Sequence, residues 1–391
     1  LYCEAADKIG CKYQVWQNRW EVMKKVICFI KSEMILTVTF LAALITALFV
    51  PPSVHYFEYI DYKVLSLLFC LMAVVAGFGK TGLFRTVSGM ILRRINNMKI
   101  LSYMLVLLCF FSSMLVTNDV ALLAFVPLTV LLSDIFGKKQ FMFVIVMQAI
   151  AANLGSMLTP VGNPQNLYLY SCYGVSAADF FAVTIPLTGF SFVLISAVML
   201  TGKSKPIEVA VPMETEVQDK KRLCVYWTLF LLSLLGVFSV VSYPIVFLIV
   251  CAVLFLTDKE LFRRIDYGLL LTFVCFFIFV GNINQIDAVK FFMNQLVEGK
   301  EYLFALGLSQ IISNVPAAVM LSAFTDHYRA LIIGTNIGGL GTPVASLASL
   351  IALRLYLKSG KGSMGKILPV FLGMNLLFFI LLGYAGWYLL N

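Results

Sequence analysis

The stretch NLGSMLTPV at residues 153–161 is repeated, position for position, by NIGGLGTPV at residues 336–344. Each copy lies inside a long apolar run and contains both Gly and Pro, and proline removes a backbone donor and interrupts a helix. A helix that breaks inside a membrane must satisfy its freed backbone groups within the protein, either where it is buried or along a cavity. The two stretches therefore predict two broken transmembrane helices, one in each half of the chain.

The repeat extends outward from these stretches. SSMLVTND at residues 112–119 matches SQIISNV at residues 309–315 around a shared Asn, and each lies between two short apolar arms. We predict re-entrant helical hairpins over residues 100–134 and 301–325, although the charges fit two short full spans equally well. Because Lys and Arg cluster on the cytoplasmic side of membranes, their distribution predicts that the first hairpin opens inward and the second outward. The repeats are then inverted, as in many secondary transporters.

Composition restricts the class of protein. Of 391 residues, 61% are apolar and 13% are charged, and the mean hydropathy is +0.93; a soluble domain has roughly 25% charged residues. The chain is predicted to be an all-α, polytopic membrane protein. The net charge of +9 comes mostly from Lys and Arg at the ends of apolar segments, so a nucleic-acid partner is not expected. Since the chain has no HExxH motif and no nucleophile elbow, no enzyme activity is expected either.

A polar linker divides the chain. Residues 1–33 are predicted to form a cytoplasmic amphipathic segment, residues 34–200 the first inverted repeat, residues 201–222 a cytoplasmic linker and residues 223–391 the second inverted repeat. The charge distribution predicts a multi-pass protein of the plasma membrane, with a cytoplasmic N-terminus and an external C-terminus. The nine cysteines show no spacing typical of a zinc site or a disulfide framework.

The polar residues of the hairpin tips and the broken helices predict a binding site near the middle of the membrane. Half-helix N-termini expose free N–H groups, which favour an anion. Freed carbonyls with Asn, Ser and Thr side chains favour a small cation such as Na⁺. Asp119 is the main acidic group well inside a predicted membrane segment. A carboxylate there costs at least ~2.5–3.5 kcal/mol, so we expect it to pair with a cation or a proton, to cap the next helix, or both.

Three of these stretches resemble the ion transporter superfamily: TNDVALL at residues 117–123, TPVGNPQN at residues 159–166 and SNVP at residues 313–316. The closest branches are the citrate-transporter-like and arsenite-permease-like proteins, related to the divalent anion:sodium symporters. The resemblance implies a homodimer in which each subunit has a scaffold part and an elevator-like transport part. It also implies that the hairpin tips contact a substrate carboxylate and sodium. Asp119 and Val315 depart from the carboxylate branch, which has a hydroxyl residue there, so the arsenite and Na⁺/H⁺ antiporter branches stay open.

These motifs and the resemblance together predict a secondary active transporter of a small anion, a di- or tricarboxylate such as citrate, coupled to Na⁺ or H⁺. The alternatives are a permease for arsenite or another inorganic anion, a Na⁺/H⁺ antiporter that uses Asp119, and a passive channel or membrane scaffold. No cofactor is expected beyond Na⁺ as a coupling ion. The expected substrate-binding residues are Thr117, Asn118, Asp119, Gly162, Asn163, Asn166, Ser313, Asn314, Val315, Thr342 and Pro343. The expected sodium-binding residues are Ser113, Thr117, Asn118, Asn153, Gly155, Ser309, Asn314, Asn336, Gly338 and Gly341.

Overall fold

The computed structural model describes residues 33–92, 95–201, 204, 206–207 and 219–391. The predicted amphipathic segment over residues 1–33 lies outside the described residues except for Glu33, and so does most of the predicted linker over residues 201–222. Apart from an isolated bridge between Asn97 and Pro206, the described part of the chain consists of helices and their connections. The prediction of an all-α protein is confirmed.

The described residues form eighteen α-helices and two short 3-10 helices. The helices before the linker are α1 (Met34–Ala47), α2 (His55–Glu58), α3 (Tyr62–Lys80), α4 (Leu83–Leu92), α5 (Met98–Ser112), α6 (Asn118–Leu131), α7 (Lys138–Ser156), α8 (Pro164–Cys172) and α9 (Ala177–Leu200). The helices after it are α10 (Lys220–Val237), α11 (Tyr243–Thr257), α12 (Tyr267–Asn284), α13 (Asp287–Val297), α14 (Glu301–Ile312), α15 (Asn314–Ser322), α16 (Tyr328–Gly338), α17 (Leu347–Lys358) and α18 (Met364–Leu390). The 3-10 helices are Lys259–Arg264 and Pro343–Ala345.

The order of helices α3–α9 recurs in α12–α18. Each series has a long apolar helix, a short helix, a pair of hairpin helices, a helix that breaks, the helix beyond the break and a second long apolar helix. The breaks lie where the sequence predicts them, between α7 and α8 and between α16 and α17. The internal repeat is therefore present in the helix order, while the inversion of one repeat across the membrane stays a prediction.

Helix length separates spanning helices from hairpin arms. Within the part of the chain that the structure describes, four helices, α3, α9, α12 and α18, are long and apolar enough to cross a membrane. A full span takes about 20 residues. The arms of the first hairpin, α5 and α6, have 15 and 14 residues, and the first arm of the second, α14, has 12. Arms of this length fit the prediction that each hairpin enters the membrane and turns back.

Among the described residues, one compact unit comprises residues 33–60 and 267–283. Within its described part, Asn282 donates through Nδ2 to the hydroxyl of Tyr56 at 2.9 Å and to Thr46 Oγ1 at 3.2 Å. Gly281 lets the ring of Tyr59 lie against α12, because a Cβ at that position would fall 2.3 Å from the ring. A buried amide and a close ring contact therefore hold α12 to the segment that follows α1.

The other unit comprises the described residues between 61 and 266 together with residues 284–391, and it contains both hairpins and both broken helices. The helices that break are among its most buried elements: α7 is buried from Val144 to Ser156, and α16 is buried from Ala330 to Gly338. Asn163 begins α8 by accepting a hydrogen bond from the backbone N–H of Asn166 at 2.9 Å, which is a standard N-cap. Deep burial obliges the polar groups at both breaks to find partners inside the protein.

A charged cluster joins three elements of the larger unit away from the breaks. Lys80, at the end of α3, contacts Asp258 Oδ2 at 2.8 Å and Glu260 Oε2 at 2.7 Å. Asp258 also accepts a hydrogen bond from the hydroxyl of Tyr226 at 3.0 Å and contacts Arg222 at 3.4 Å. Burial of Asp258 opposes its ionisation, but the hydrogen bonds from Lys80 and Tyr226 outweigh burial and hold its pKa below the usual value for Asp.

Candidate functional site

Each hairpin tip places an Asn at the first position of a helix. Asn118 begins α6 and Asn314 begins α15, and both are buried. Each Oδ1 accepts a hydrogen bond from the next backbone N–H at 3.0 Å, that of Asp119 in the first tip and that of Val315 in the second. The two tips therefore have matching local geometry, with helix N-termini that start inside the protein.

The first tip is bonded to the first broken helix. Asn118 donates through Nδ2 to Asn153 Oδ1 at 3.0 Å, and its backbone N–H donates to the carbonyl of Gly162 at 3.1 Å. These two bonds join the tip to both sides of the break, because Asn153 lies on α7 and Gly162 lies just before α8. The first tip is therefore hydrogen-bonded directly to the first broken helix.

The second tip meets the second broken helix in a corresponding way. Ser313 donates through Oγ to the carbonyl of Ala345 at 3.3 Å, and Ala345 occupies the position that Gly162 has in the first repeat. The Asn314 side chain lies against Gly339, where an added Cβ would fall 2.8 Å from Asn314 Nδ2. Ser313 has φ of +77°, a conformation that favours glycine, whereas Thr117 in the first tip has φ of −62°. The second tip is therefore the more strained of the two.

The two broken helices exchange hydrogen bonds reciprocally. Asn163 of the first repeat donates to Asn336 Oδ1 of the second at 3.0 Å. Ser346 of the second repeat donates to Asn153 Oδ1 of the first at 2.8 Å. Asn163 and Ser346 occupy equivalent repeat positions, as do Asn153 and Asn336. The two hydrogen bonds are therefore related to each other by the internal repeat, and they join the first broken helix to the second at the breaks.

Asn153 connects both tips to this exchange. It accepts from Asn118 and from Ser346, and it donates through Nδ2 to the carbonyl of Gly339 at 3.3 Å. Gly339 in turn contacts the Asn314 side chain. Asn118 is thus hydrogen-bonded into this buried network, and Asn314, which is far from it in the chain, packs against the same network at Gly339. Asn166 joins the same network, since its Oδ1 accepts from Asn336 Nδ2 at 2.6 Å.

Two glycines allow the hairpins to approach the broken helices closely. An added Cβ on Gly155 would fall 2.0 Å from the Phe110 carbonyl oxygen and 2.6 Å from Ser113 Oγ, both on or next to α5. An added Cβ on Gly338 would fall 2.5 Å from Ser309 Oγ of α14. Both contacts lie at equivalent places in the two repeats. Only glycine fits without displacement, and this explains the Gly in both copies of the motif.

The remaining predicted residues differ in their surroundings. Asp119 is half-buried, and its Oδ1 is buried without a hydrogen-bond partner. Val315 is buried at the start of α15 and places an apolar side chain at the second tip. Thr342 donates to the Gln310 carbonyl at 3.0 Å, and Pro343 begins the short 3-10 helix. Gly341 has φ of +99°, which requires the freedom of glycine. Their roles in binding remain predictions.

Two residues of the network were missed by the sequence predictions. Ser346 becomes visible when the repeat is extended two positions beyond residue 344, because it then aligns with Asn163. Gln310 was a polar side chain in an otherwise apolar arm, and nothing in the repeat marks it because the equivalent residue is Met114. Its amide contacts the second break through the carbonyls of Gly338 and Leu340 and the backbone N–H of Thr342.

The chemistry of the site is that of amides, hydroxyls and backbone groups. The described residues contain no group of three or more His, Cys, Asp or Glu side chains that could hold a metal ion. Neutral oxygen donors suit a weakly held hard cation, and amide N–H groups and helix N-termini suit an anion. The site can therefore bind a small ion pair without a fixed charge other than that of Asp119.

Comparisons with known proteins find similarity to membrane transporters. A family model described as Citrate transporter matches residues 26–328, which include both hairpins and the first broken helix. An uncharacterized transporter of Methanocaldococcus jannaschii is 32% identical over 318 residues, covering 80% of this chain and 86% of that protein. The inner membrane protein YbiR of Escherichia coli is 33% identical over 309 residues, covering 76% and 80%. The P protein of Mus musculus is 31% identical over 123 residues, which are 31% of this chain and 14% of that protein.

Proposed function

Because this chain belongs to the citrate transporter family of membrane permeases, we propose that it is a secondary active transporter that moves a small anion together with Na⁺ or H⁺. The observation that carries the proposal is the buried network in which Asn118 and Asn314, at the two hairpin tips, are joined through Asn153 and Gly339. A polar network in a chain that is 61% apolar is costly unless its groups are paired or bind a ligand.

The proposed substrate is a di- or tricarboxylate such as citrate. Helices α6 and α15 begin at the tips, and their first N–H groups and positive dipole ends favour carboxylate oxygens. The residues of the network carry no Lys or Arg, so an accompanying cation must offset the substrate charge. This supports cation-coupled symport over unaided binding of a highly charged anion.

The proposed mechanism is an elevator-like movement within a homodimer. Both hairpins and both broken helices belong to the same compact unit. The reciprocal bonds of Asn163 with Asn336 and of Ser346 with Asn153 join them further. Elements joined in this way move together more easily than they separate, because separation would leave buried polar groups unpaired. The observed connections therefore support the transport of substrate by a rigid group of helices.

An unpaired oxygen of the Asp119 carboxylate favours a second candidate function. Its Oδ1 is buried without a hydrogen-bond partner, although it lies one residue from Asn118. A carboxylate in this setting gains from a proton or a cation, and it can exchange one for the other. The second candidate is therefore a Na⁺/H⁺ antiporter in which Asp119 is the exchanging group and no organic anion is required.

Uptake by reconstituted proteoliposomes tests the first function. We expect labelled citrate, or a labelled dicarboxylate, to accumulate against its gradient when Na⁺ or H⁺ is supplied outside, and Asn118→Ala to abolish this uptake. Asn375→Ala is the matched control, because Asn375 is an equally buried amide on α18 whose Nδ2 donates within its own helix. Unchanged uptake by Asn118→Ala would remove the tip from the binding site.

A pH-sensitive dye inside the same vesicles tests the second function. An antiporter changes the lumenal pH when Na⁺ is added in the absence of any anion substrate, and Asp119→Asn should abolish the change. A symporter gives no such signal without its anion. Accumulation of arsenite in place of a carboxylate would assign the transporter to an inorganic anion while retaining the same site.

A further inference from the structure

The side-chain amide of Gln310 fills a cluster of backbone groups at the second break. Its Nε2 donates to the carbonyl of Gly338 at 2.8 Å and to that of Leu340 at 2.9 Å, with a longer contact to the Leu306 carbonyl of its own helix at 3.3 Å. Its Oε1 accepts from the backbone N–H of Thr342 at 2.9 Å. The amide therefore satisfies three backbone groups that the unwound stretch has released.

Two carbonyl oxygens that converge on one point are what a small hard cation binds. In the second repeat, the carbonyls of Gly338 and Leu340 converge on Gln310 Nε2. The two N–H hydrogens of this amide carry partial positive charge, so they attract the carbonyl oxygens as a cation would. Their hydrogen bonds also occupy the lone pairs that a cation would need. A cation at this point would have to displace the amide and leave its hydrogens without acceptors.

The backbone fixes the amide in this position. Gly341 has φ of +99°, and an added Cβ there would fall 2.3 Å from Gln310 Oε1, so the unwound stretch wraps closely around the side chain. Thr342 Oγ1 donates to the Gln310 carbonyl at 3.0 Å, and this second bond attaches the stretch to the same residue of α14. Gln310 is thus held by the unwound stretch at two points, its side-chain amide and its backbone carbonyl.

The first repeat lacks an equivalent amide. Met114 occupies the position of Gln310, and its thioether has no hydrogen to donate. The backbone contact is retained, because Thr159 Oγ1 donates to the Met114 carbonyl as Thr342 Oγ1 does to that of Gln310. The Met157 carbonyl instead accepts from Asn166 of α8 at 3.2 Å, a donor on the far side of the break rather than on the hairpin. The two breaks are therefore unequal on the side that faces the hairpin.

We infer that Gln310 takes the place of a cation between the second hairpin and the second break, so that any cation coupling in this protein uses one site fewer than the two-fold repeat suggests. The inference rests on the proposed cation-coupled function and specifies its stoichiometry. Gln310 then occupies the place where the sequence predicts sodium ligands in the second repeat, among them Ser309, Gly338 and Gly341. Gln310 is a determinant of cation number and a positioning residue for the unwound stretch.

Removal of the donor should open the site. In Gln310→Glu a carboxylate oxygen faces the carbonyls of Gly338 and Leu340, and in Gln310→Met no donor reaches them. The thermal unfolding midpoint of each purified protein is measured in Na⁺ and in choline at the same ionic strength. In both variants, we expect Na⁺ to raise the midpoint by more than it does in the wild type. The matched control is Gln140→Glu, a half-buried amide that donates to Ser102 Oγ at 3.0 Å rather than to converging carbonyls.

A structural role alone would lower the unfolding midpoint of both Gln310 variants equally with and without Na⁺. If both variants remain folded and neither gains a Na⁺ response, the inference is overturned. A wild-type Hill coefficient for Na⁺ of about two in uptake assays would also overturn it, whereas about one is expected for a sodium-coupled carrier. The unfolding assay does not depend on transport, so failure of uptake would count against the proposed function and leave the Gln310 result standing.

Discussion

Substitution of Gly155 by Ala tests the close packing of the first hairpin on the first broken helix. The added methyl group would fall 2.0 Å from the Phe110 carbonyl oxygen, whereas a carbon and a carbonyl oxygen in ordinary contact are about 3.3–3.6 Å apart. The two atoms would therefore be about 1.3–1.6 Å too close. Because Phe110 O belongs to the backbone of α5, it cannot rotate away, and α5 or α7 must shift. Overpacking of this kind costs about 1–3 kcal/mol, and we expect the upper end because backbone has to move.

Chemical unfolding of the purified protein in detergent micelles measures this cost. Gly307→Ala is the matched control, since Gly307 lies within α14 and an added Cβ there meets nothing within 4 Å. Alanine is favoured over glycine in a helix interior by roughly 0.5–1 kcal/mol, so the control should be slightly stabilised. Uptake should also fall in Gly155→Ala, because the shift displaces the tip that carries Asn118. Equal stability of the wild type and Gly155→Ala would refute the close contact.

Three further substitutions test separate features of the structure. Asn153→Ala removes the residue that links both tips and leaves its buried partners unpaired, so we expect a loss of about 2–3 kcal/mol by chemical unfolding, and a loss below 0.5 kcal/mol would contradict the network. Ser313→Gly and Ser313→Ala both lose the hydroxyl that donates to the Ala345 carbonyl, but only Gly relieves the φ of +77°. Ser313→Gly should therefore be about 1 kcal/mol more stable than Ser313→Ala, whereas Thr117→Gly, at φ of −62°, should not be more stable than Thr117→Ala. Lys80→Met leaves buried Asp258 without its closest cation and should cost about 2–3 kcal/mol near neutral pH. Since the folded state lowers the pKa of Asp258, its stabilising effect is present above the usual Asp pKa and is lost as the pH falls through the lowered value. The difference between Lys80→Met and the wild type should therefore shrink in acid, and a difference independent of pH would show that the ion pair is not its source.

Much of the candidate site was predictable from the motifs. Asn118 and Asn314 follow from a polar residue placed at the turn between two short apolar arms, and Asn153 and Asn336 from their place in the repeated stretch. Gly155 and Gly338 recur at equivalent positions because each faces a hairpin at a distance that excludes a Cβ. Such features depend on local backbone conformation and close approach, which a short stretch of sequence records.

The partners of these residues were less predictable. Gln310 lies in an apolar arm and has no polar counterpart in the first repeat, so neither the spacing nor the repeat indicated that it would bond the second break. The strain at Ser313 was equally hidden, since Thr117 occupies the matching position without it. Such differences between the repeats become visible only when the hydrogen-bond partners of each side chain and the backbone conformation are known.

The sequence alone determined that this is a helical membrane protein, where its helices break and which polar residues lie at the breaks, because hydropathy, glycine and proline act over a few neighbouring positions. Only the tertiary structure decided that Asn163 bonds Asn336 and that Ser346 bonds Asn153. Each of these bonds joins residues from opposite halves of the chain. Such pairings arise from the packing of one repeat against the other, which no local pattern of residues specifies.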